Sequence, residues 1–265
     1  MSTTSRSGWL IGGAVFTVAA LVIGGVTLWS TLLGASEPGE ATEKQTYQQA
    51  VTRIELDVDR GAVTLVAGEA GQVAVERHFR WSSEKPKVTE RWDGGILRIS
   101  TECTADEINI VGHATCDVDY TLTVPEGVEI EAHTNSGAVV SRNLLGALKL
   151  GSTSGDITVT KSGGALRLEA TSGKVRASEL GSAEVDAQAS SGGVELAFTT
   201  APRKVRAEAN SGDVRVTVPK PDAYRVEAQT NSGQESVTVA QDGGATRTIS
   251  AQTNTGDVDV RYLAG

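Results

Sequence analysis

The sequence predicts an all-β fold in which an N-terminal transmembrane helix is followed by a β-solenoid with rungs of about 18–23 residues. Two observations predict it. A run of 26 residues near the start carries no charge, and a Ser-Gly or Thr-Gly pair recurs throughout the second half of the chain. Composition agrees, because 30 of the 265 residues are Gly and few are aromatic, which favours short strands and tight turns.

The uncharged run, residues 9–34, is predicted to span a membrane. It exceeds the ~20 residues that cross the hydrocarbon core. Trp9 and Trp29 are separated by about 30 Å at ~1.5 Å per residue, which places one indole at each interface. Arg6 precedes the run and acidic residues follow it, so residues 1–8 are expected in the cytoplasm and the rest of the chain outside the cell membrane.

A cleaved signal peptide is the alternative interpretation of this segment. The apolar region of a signal peptide usually has about 7–15 residues, so the run is long for that role and an uncleaved anchor is favoured. The polar residues 35–50 show no periodicity and are interpreted as a linker. Residues 51–265 then form the extracytoplasmic β-strand-repeat domain.

The repeat is defined by its glycine. Apolar residues stand seven positions before this glycine in every copy and two and four positions after it in most copies, which is the period-two pattern of half-buried strands on both sides of a turn. Glu235 breaks the pattern, so the stacking is expected to bulge or fray there. The predicted turns of the second half lie at Gly137, Gly155, Gly173, Gly192, Gly212, Gly233 and Gly256.

The same template fits once more, around Gly61. The distance from Gly61 to Gly137 equals four intervals of 19 residues, which predicts degenerate rungs of the same stack between them. Strand-like segments in that region are Val73–Phe79, Ile96–Ser100 and Asp117–Val124.

Outward-facing charges favour a parallel stack over an antiparallel β-sandwich, which is the alternative fold. Six residues before each repeat glycine, most neighbouring pairs are opposite in sign, and an in-register parallel stack places such residues side by side. The series begins Glu131, Lys149, Arg167, Asp186 and Arg206.

Cys103 and Cys116 are the only cysteines and are predicted to form a disulfide, as is usual for an even count outside the cytoplasm. The alternative is a metal site in which His113 joins the pair, although three donors without a short CxxC are a poor zinc motif.

Nothing in the sequence indicates catalysis, so a non-enzyme without cofactor or metal is predicted. The turn positions Asp156, Asp213 and Asp257 would lie three and two rungs apart, which is too far for the paired carboxylates of a glycosidase. The net charge of −9 argues against binding to nucleic acid.

Trp81 and Trp92 mark the candidate recognition surface. They are the only tryptophans outside the apolar run, and Arg80 and Arg91 adjoin them, so an exposed pair would suit a glycan or a protein. The alternative is that both indoles belong to the core or to a cap.

The turns TNSG, STSGD, ATSG, NSGD and TNTGD, together with DVDYTLTVPEG and VTVPKPDAYRVEAQTNSG, resemble the bacterial putative-adhesin family of β-strand-repeat proteins over residues 50–262. The resemblance implies a solenoid-like envelope domain of unknown function and no catalytic residues. We therefore expect a single-pass membrane protein that presents its solenoid for adhesion, scaffolding or partner binding in the envelope. A glycan-active enzyme or an accessory regulator of an envelope-stress system are the alternatives, and the sequence does not indicate the oligomeric state.

Overall fold

The structure is a computed structural model that describes residues 38–82, 84–103, 115–220 and 222–263. The predicted tail and transmembrane segment lie outside the described residues, as does His113. Within the described part, no helix is long and apolar enough to cross a membrane. The described residues from Gly39 onward belong to one compact unit.

The described residues form 21 β-strands and no α-helix, which confirms the all-β prediction. The strands are β1 (Gly39–Tyr47), β2 (Arg53–Arg60), β3 (Val63–Gly68), β4 (Val73–Trp81), β5 (Lys87–Asp93), β6 (Ile96–Glu102), β7 (Cys116–Pro125), β8 (Glu129–Ser136), β9 (Val139–Arg142), β10 (Leu148–Ser154), β11 (Ile157–Thr160), β12 (Leu166–Ser172), β13 (Val175–Leu180), β14 (Glu184–Ser191), β15 (Val194–Phe198), β16 (Lys204–Ser211), β17 (Val214–Val218), β18 (Arg225–Ser232), β19 (Glu235–Val237), β20 (Thr248–Thr255) and β21 (Val258–Tyr262).

Two sheets contain all of these strands. The order is β1-β4-β7-β3-β9-β11-β13-β15-β17-β21-β19 in the 11-stranded sheet and β18-β20-β16-β14-β12-β10-β8-β2-β6-β5 in the 10-stranded sheet. Each repeat contributes one strand to each sheet, with the repeat glycine at the turn between them. Since neighbouring repeats pair in parallel, the repeat region is a solenoid-like stack rather than the antiparallel sandwich considered as the alternative.

The register of the stack pairs equivalent positions of neighbouring repeats, as the sequence predicts. Leu148 pairs with Leu166, and the next strand continues the column with Val185. The inward residues are buried and form one continuous core between the sheets. Outward charges pair along the stack, since Lys149 Nζ lies 2.6 Å from a carboxylate oxygen of Glu131. Exposed pairs of this kind are worth only ~0–1 kcal/mol each, so they specify register more than they stabilise.

Every repeat glycine is required by close approach to a neighbouring rung, and every one except Gly173 also by its backbone angle. A Cβ atom on Gly192 would lie 2.1 Å from the carbonyl oxygen of Gly173 on the neighbouring rung, and Gly192 has φ +141°. Small inward residues on the first strand use the same carbonyl groups, because Thr134 Oγ1 donates to the oxygen of Gly61 at 3.0 Å. The glycines at the turns of successive rungs therefore form a column, in which each glycine contacts the backbone of the neighbouring rung.

The rung of Gly61 stacks directly on that of Gly137. Of the degenerate rungs predicted from the intervening chain, one is present, and it does not lie between these two rungs. The Gly61 amide donates to the carbonyl oxygen of Ser136 at 2.8 Å. The intervening chain passes to the far side of this rung, where β6 and β7 add one further parallel rung. The three strand-like segments predicted in this region are confirmed as β4, β6 and β7.

Antiparallel strands close this end of the stack, and β4 and β5 are here called the cap. β4 pairs antiparallel with β7, β5 with β6, and β1 with β4. β1 lies within the segment interpreted as a linker, and the structure places it in the 11-stranded sheet instead. The buried guanidinium of Arg77 forms an ion pair with Glu90, which also accepts a hydrogen bond from the Tyr47 hydroxyl, and this ties β1 to the cap. Pairing with β4 thus outweighs the lack of a hydrophobic pattern in β1.

Rung order at the other end departs from chain order. β20 and β21 insert between the rung of β16 and β17 and the rung of β18 and β19, which ends the stack. Glu235 stands in β19 where other repeats have an apolar residue, and it is exposed. A carboxylate in the interior would be costly to desolvate, so this rung is tolerated only at the end. A bulge or fraying was expected at Glu235, and the structure places this residue in the last rung of the stack instead.

Candidate functional site

The structure places the four residues of the predicted recognition surface on two sheets, Arg80 and Trp81 in β4 and Arg91 and Trp92 in β5. Trp81 and Trp92 are partly buried and pack against the core, Trp81 from β4 and Trp92 from β5. Arg80 points outward and lies 2.9 Å from Asp119, and Arg91 is exposed on the other sheet. Both indoles therefore contact the core at this end of the stack.

Cys103 and Cys116 form a disulfide, with their Cα atoms 5.9 Å apart. The bond joins the end of β6 to the start of β7, which is the place where the other rungs make their glycine turn. It thus joins the two strands of this rung.

The turn aspartates accept hydrogen bonds from the backbone of the next rung. Asp156 Oδ1 accepts from the Lys174 amide at 2.8 Å, and this hydrogen bond lowers the pKa of the Asp156 carboxyl. Asp213 Oδ1 accepts from the Asp257 amide at 3.0 Å. Asp213 and Asp257 therefore lie on adjacent rungs, not two rungs apart as expected, because the rung of β20 and β21 is inserted between its neighbours.

The outer face of the 10-stranded sheet carries a polar concavity, here called the amide groove, of about 610 Å³. It crosses the five strands β12, β14, β16, β20 and β18, and each strand contributes two outward polar residues. One column is Glu169, Gln188, Glu208, Gln252 and Gln229; the other is Thr171, Ser190, Asn210, Asn254 and Asn231.

Hydrogen bonds along the stack hold the asparagines of the second column in place. Asn231 Nδ2 donates to Asn254 Oδ1 at 2.9 Å, and Asn254 Nδ2 donates to Asn210 Oδ1 at 2.5 Å. The chain of three amides follows the spatial order of the rungs rather than the order of the sequence. Each amide is consequently held before any ligand arrives.

The carboxylates of the groove are neutralised by arginines on its border. Arg167 lies 2.5 Å from Glu169, and Arg206 lies 2.6 Å from Glu208. The side chains of Gln229 and Gln252, by contrast, make no hydrogen bond with any described residue. The floor of the groove therefore offers uncharged donors and acceptors.

A second concavity of about 690 Å³ lies on the same sheet near the cap, and Arg91 lines it. Two of its charged side chains pair with each other, since Arg98 Nε lies 2.7 Å from a carboxylate oxygen of Glu55. Glu131, also in its wall, hydrogen-bonds to Lys149, which lowers the pKa of the Glu131 carboxyl. Because its lining lacks the repeated amide side chains of the amide groove, this concavity is a weaker candidate.

A family model described as Toastrack DUF4097 matches residues 130–262, which include the strands of the amide groove. The chain belongs to the Toastrack DUF4097 family. The resemblance to bacterial adhesin-like repeat proteins predicted from the turns is thereby confirmed. No curated protein is similar enough in sequence to match this Toastrack chain.

Several solved bacterial structures are similar to the Toastrack chain in fold. A putative cell adhesion protein from Clostridium sporogenes is 12% identical with a TM-score of 0.41, covering 86% of this chain and 100% of its own. A putative adhesin from Bacteroides fragilis is 12% identical with a TM-score of 0.38, covering 86% and 99%. A putative lipid binding protein from Parabacteroides distasonis is 9% identical with a TM-score of 0.42, covering 87% and 98%.

Sequence reasoning missed the amide groove, although the signal was present. Counting back from each Toastrack repeat glycine, the residues two and four positions earlier are polar in the last five repeats. The asparagines among them suit turns, and this local explanation left out their position on the outer face of the sheet. Because alternate residues of a strand face the same side, both positions lie on the outer face and form columns once the strands pair in parallel.

Proposed function

We propose that this Toastrack protein is a non-enzymatic, membrane-anchored protein of the cell envelope that binds an extended ligand on the outer face of its 10-stranded sheet. The amide groove is the observation that carries the proposal. Its polar groups repeat at the strand spacing of ~4.8 Å, so a chain-like ligand along the stack meets the same groups on each rung. The uncharged run of residues 9–34 supports the anchor.

The turn aspartates support a non-enzymatic role over a glycan-active enzyme. Each carboxylate is committed to a backbone amide of the neighbouring rung, as Asp213 is to Asp257. The pKa of Asp156 is lowered, whereas a general acid at neutral pH needs a raised one. These carboxylates hold the turns together and are poorly suited to proton transfer.

Capture from envelope fractions tests the binding face. The full-length protein in lipid nanodiscs is incubated with envelope fractions from the host cells, and retained material is quantified. The groove variant, Gln229→Ala with Gln252→Ala, should lose most of the captured material. The loop variant, Gln48→Ala with Gln49→Ala, changes two exposed glutamines outside the groove and should capture as much as the wild type. Equal capture by all three proteins would refute binding at this face.

Labelling of intact cells tests the location. A membrane-impermeant amine reagent should modify exposed lysines of the solenoid such as Lys149 and Lys174 before lysis, and the protein should stay with the membrane after an alkaline wash. Modification only after lysis would overturn the outer location. Release by the alkaline wash would overturn the anchor.

A further inference from the structure

We infer that the ligand of the amide groove is an uncharged glycan chain that lies along the stack axis, an inference that rests on the proposed function. No part of the groove calls for a charged ligand. Glu169 and Glu208 are each paired with an arginine two residues earlier on the same strand. A polyanion or a polycation would have to break these pairs or remain uncompensated, and either outcome costs binding free energy.

The unpaired groups of the floor match hydroxyl groups. Gln229 and Gln252 each offer two N–H donors and a carbonyl acceptor, and Thr171 and Ser190 add hydroxyls without an intramolecular partner among the described residues. Sugar hydroxyls both donate and accept, so they pair with every one of these groups in either orientation. The hydrogen-bonded chain through Asn254 keeps the neighbouring column in one arrangement, which reduces the ordering cost of binding.

A peptide suits this surface less well than a glycan. Extended peptides are commonly held by main-chain hydrogen bonds to the free edge of a sheet. The amide groove is on the face of the sheet, and its three central strands, β14, β16 and β20, are paired on both sides. A ligand here must instead interact through groups that project along its own edge, as the equatorial hydroxyls of a sugar ring do.

The length of the groove sets the size of the ligand. Five strands at ~4.8 Å span about 19 Å, so a single sugar fills only a part of the groove. Each hydrogen bond between neutral groups is weak, and affinity should accumulate with the number of rungs engaged. Longer oligosaccharides are therefore expected to bind more tightly until they exceed this span.

Calorimetric titration of the full-length protein in nanodiscs tests the ligand class with defined probes. Cellohexaose and chitohexaose are the uncharged probes, their disaccharides test length, and oligogalacturonate is the anionic probe of similar length. At least one uncharged hexasaccharide should bind more tightly than its disaccharide. Its Kd should rise about tenfold in the groove variant, because two amide partners are lost, and stay unchanged in the loop variant.

Treatment of the captured envelope material covers glycans outside the probe set. Periodate cleaves vicinal diols, and chitinase with lysozyme cleaves 1,4-linked N-acetylated chains that lack such diols. One of these treatments should abolish groove-dependent capture, whereas proteinase K should leave it intact. Capture that survives both glycan treatments but not proteinase K would overturn the glycan and leave the proposed binding face standing. Groove-dependent binding of oligogalacturonate in preference to the uncharged probes would overturn the inference that the ligand is uncharged. Equal capture by the wild type and the groove variant would instead overturn the proposed function itself.

Discussion

Replacement of Gly192 by Ala should destabilise the stack far more than a glycine-to-alanine change normally does. Gly192 lies at the turn between β14 and β15, in the middle of the stack. It has φ +141°, which L residues rarely adopt. A Cβ atom there would also lie 2.1 Å from the carbonyl oxygen of Gly173, whereas real Cβ contacts stay above 3.0 Å.

Both effects can be assigned a magnitude. A side chain held in an unfavourable backbone region costs ~1–3 kcal/mol. Forcing extra atoms into a packed contact costs a further ~1–3 kcal/mol. The free energy of unfolding of the Gly192→Ala variant should therefore fall by about 2–6 kcal/mol. For a domain of 150–250 residues, each kcal/mol lowers Tm by about 2–4 °C, so a fall of at least about 4 °C is expected.

Thermal unfolding of the full-length protein, followed by the circular dichroism of its strands, measures the effect. Gly181→Ala is the matched control, because a Cβ atom there meets its nearest neighbour, the Ser162 carbonyl oxygen, at an ordinary 3.6 Å. Away from special contacts such a change is usually worth no more than ~0.5 kcal/mol. A Gly192→Ala variant that unfolds within about 1 °C of Gly181→Ala would show that the glycine column is not a steric requirement.

Three further predictions concern the disulfide, a turn carboxylate and the end of the stack. Cys103→Ser with Cys116→Ser should lower the free energy of unfolding by about 3 kcal/mol in denaturant titrations, and the wild type in reductant should match it; a wild type that ignores reductant would contradict this. Because the pKa of Asp156 is lowered in the folded protein, its carboxylate stabilises the fold above its ordinary pKa of 3.8. This stabilisation is lost as the pH falls through the lower pKa of the folded state. The difference in Tm between the wild type and Asp156→Ala should therefore be constant above about pH 5 and disappear in acid. Glu235→Val should yield larger species than the wild type in sedimentation velocity, because it removes the carboxylate at an open sheet edge; unchanged sedimentation would contradict that role.

The parallel repeat could be predicted from the sequence because several patterns agree on it. Apolar alternation assigned inside and outside correctly, so Leu168 is fully buried and Arg167 is exposed. Alternating charges separated the parallel stack from the sandwich, since only in-register strands bring Arg167 beside Asp186, at 3.7 Å. Local alternation and cross-strand charge are independent signals, and their agreement specifies both strand and register.

The order of the rungs and the surface of the groove could not be obtained from the same signals. Similar repeats pair almost equally well with one another, so the sequence around Gly61 does not say which rung lies beside it. Strand β1 has no hydrophobic pattern, because it lies at the edge of the sheet and Tyr47 alone among its residues is buried. The amide groove depends on which strands are neighbours in space, and Asn254 lies between Asn210 and Asn231 only because its rung is inserted.

The residues that break the repeat determine where the stack ends. The Tyr224 amide donates to Ala240 at 3.0 Å, on the outer edge of the end strand, while the Arg225 amide donates toward the segment that leads into β20. Because alternate residues point the same way, the Thr230 amide also lies on the outer edge, and it donates to Glu235 Oε1 at 2.8 Å. The residue that is too costly to bury inside the stack therefore also occupies a free donor at its edge. A charged side chain on an edge strand is a known barrier to pairing with further strands. Glu235 therefore both restricts its rung to the end of the stack and hinders the addition of another strand there.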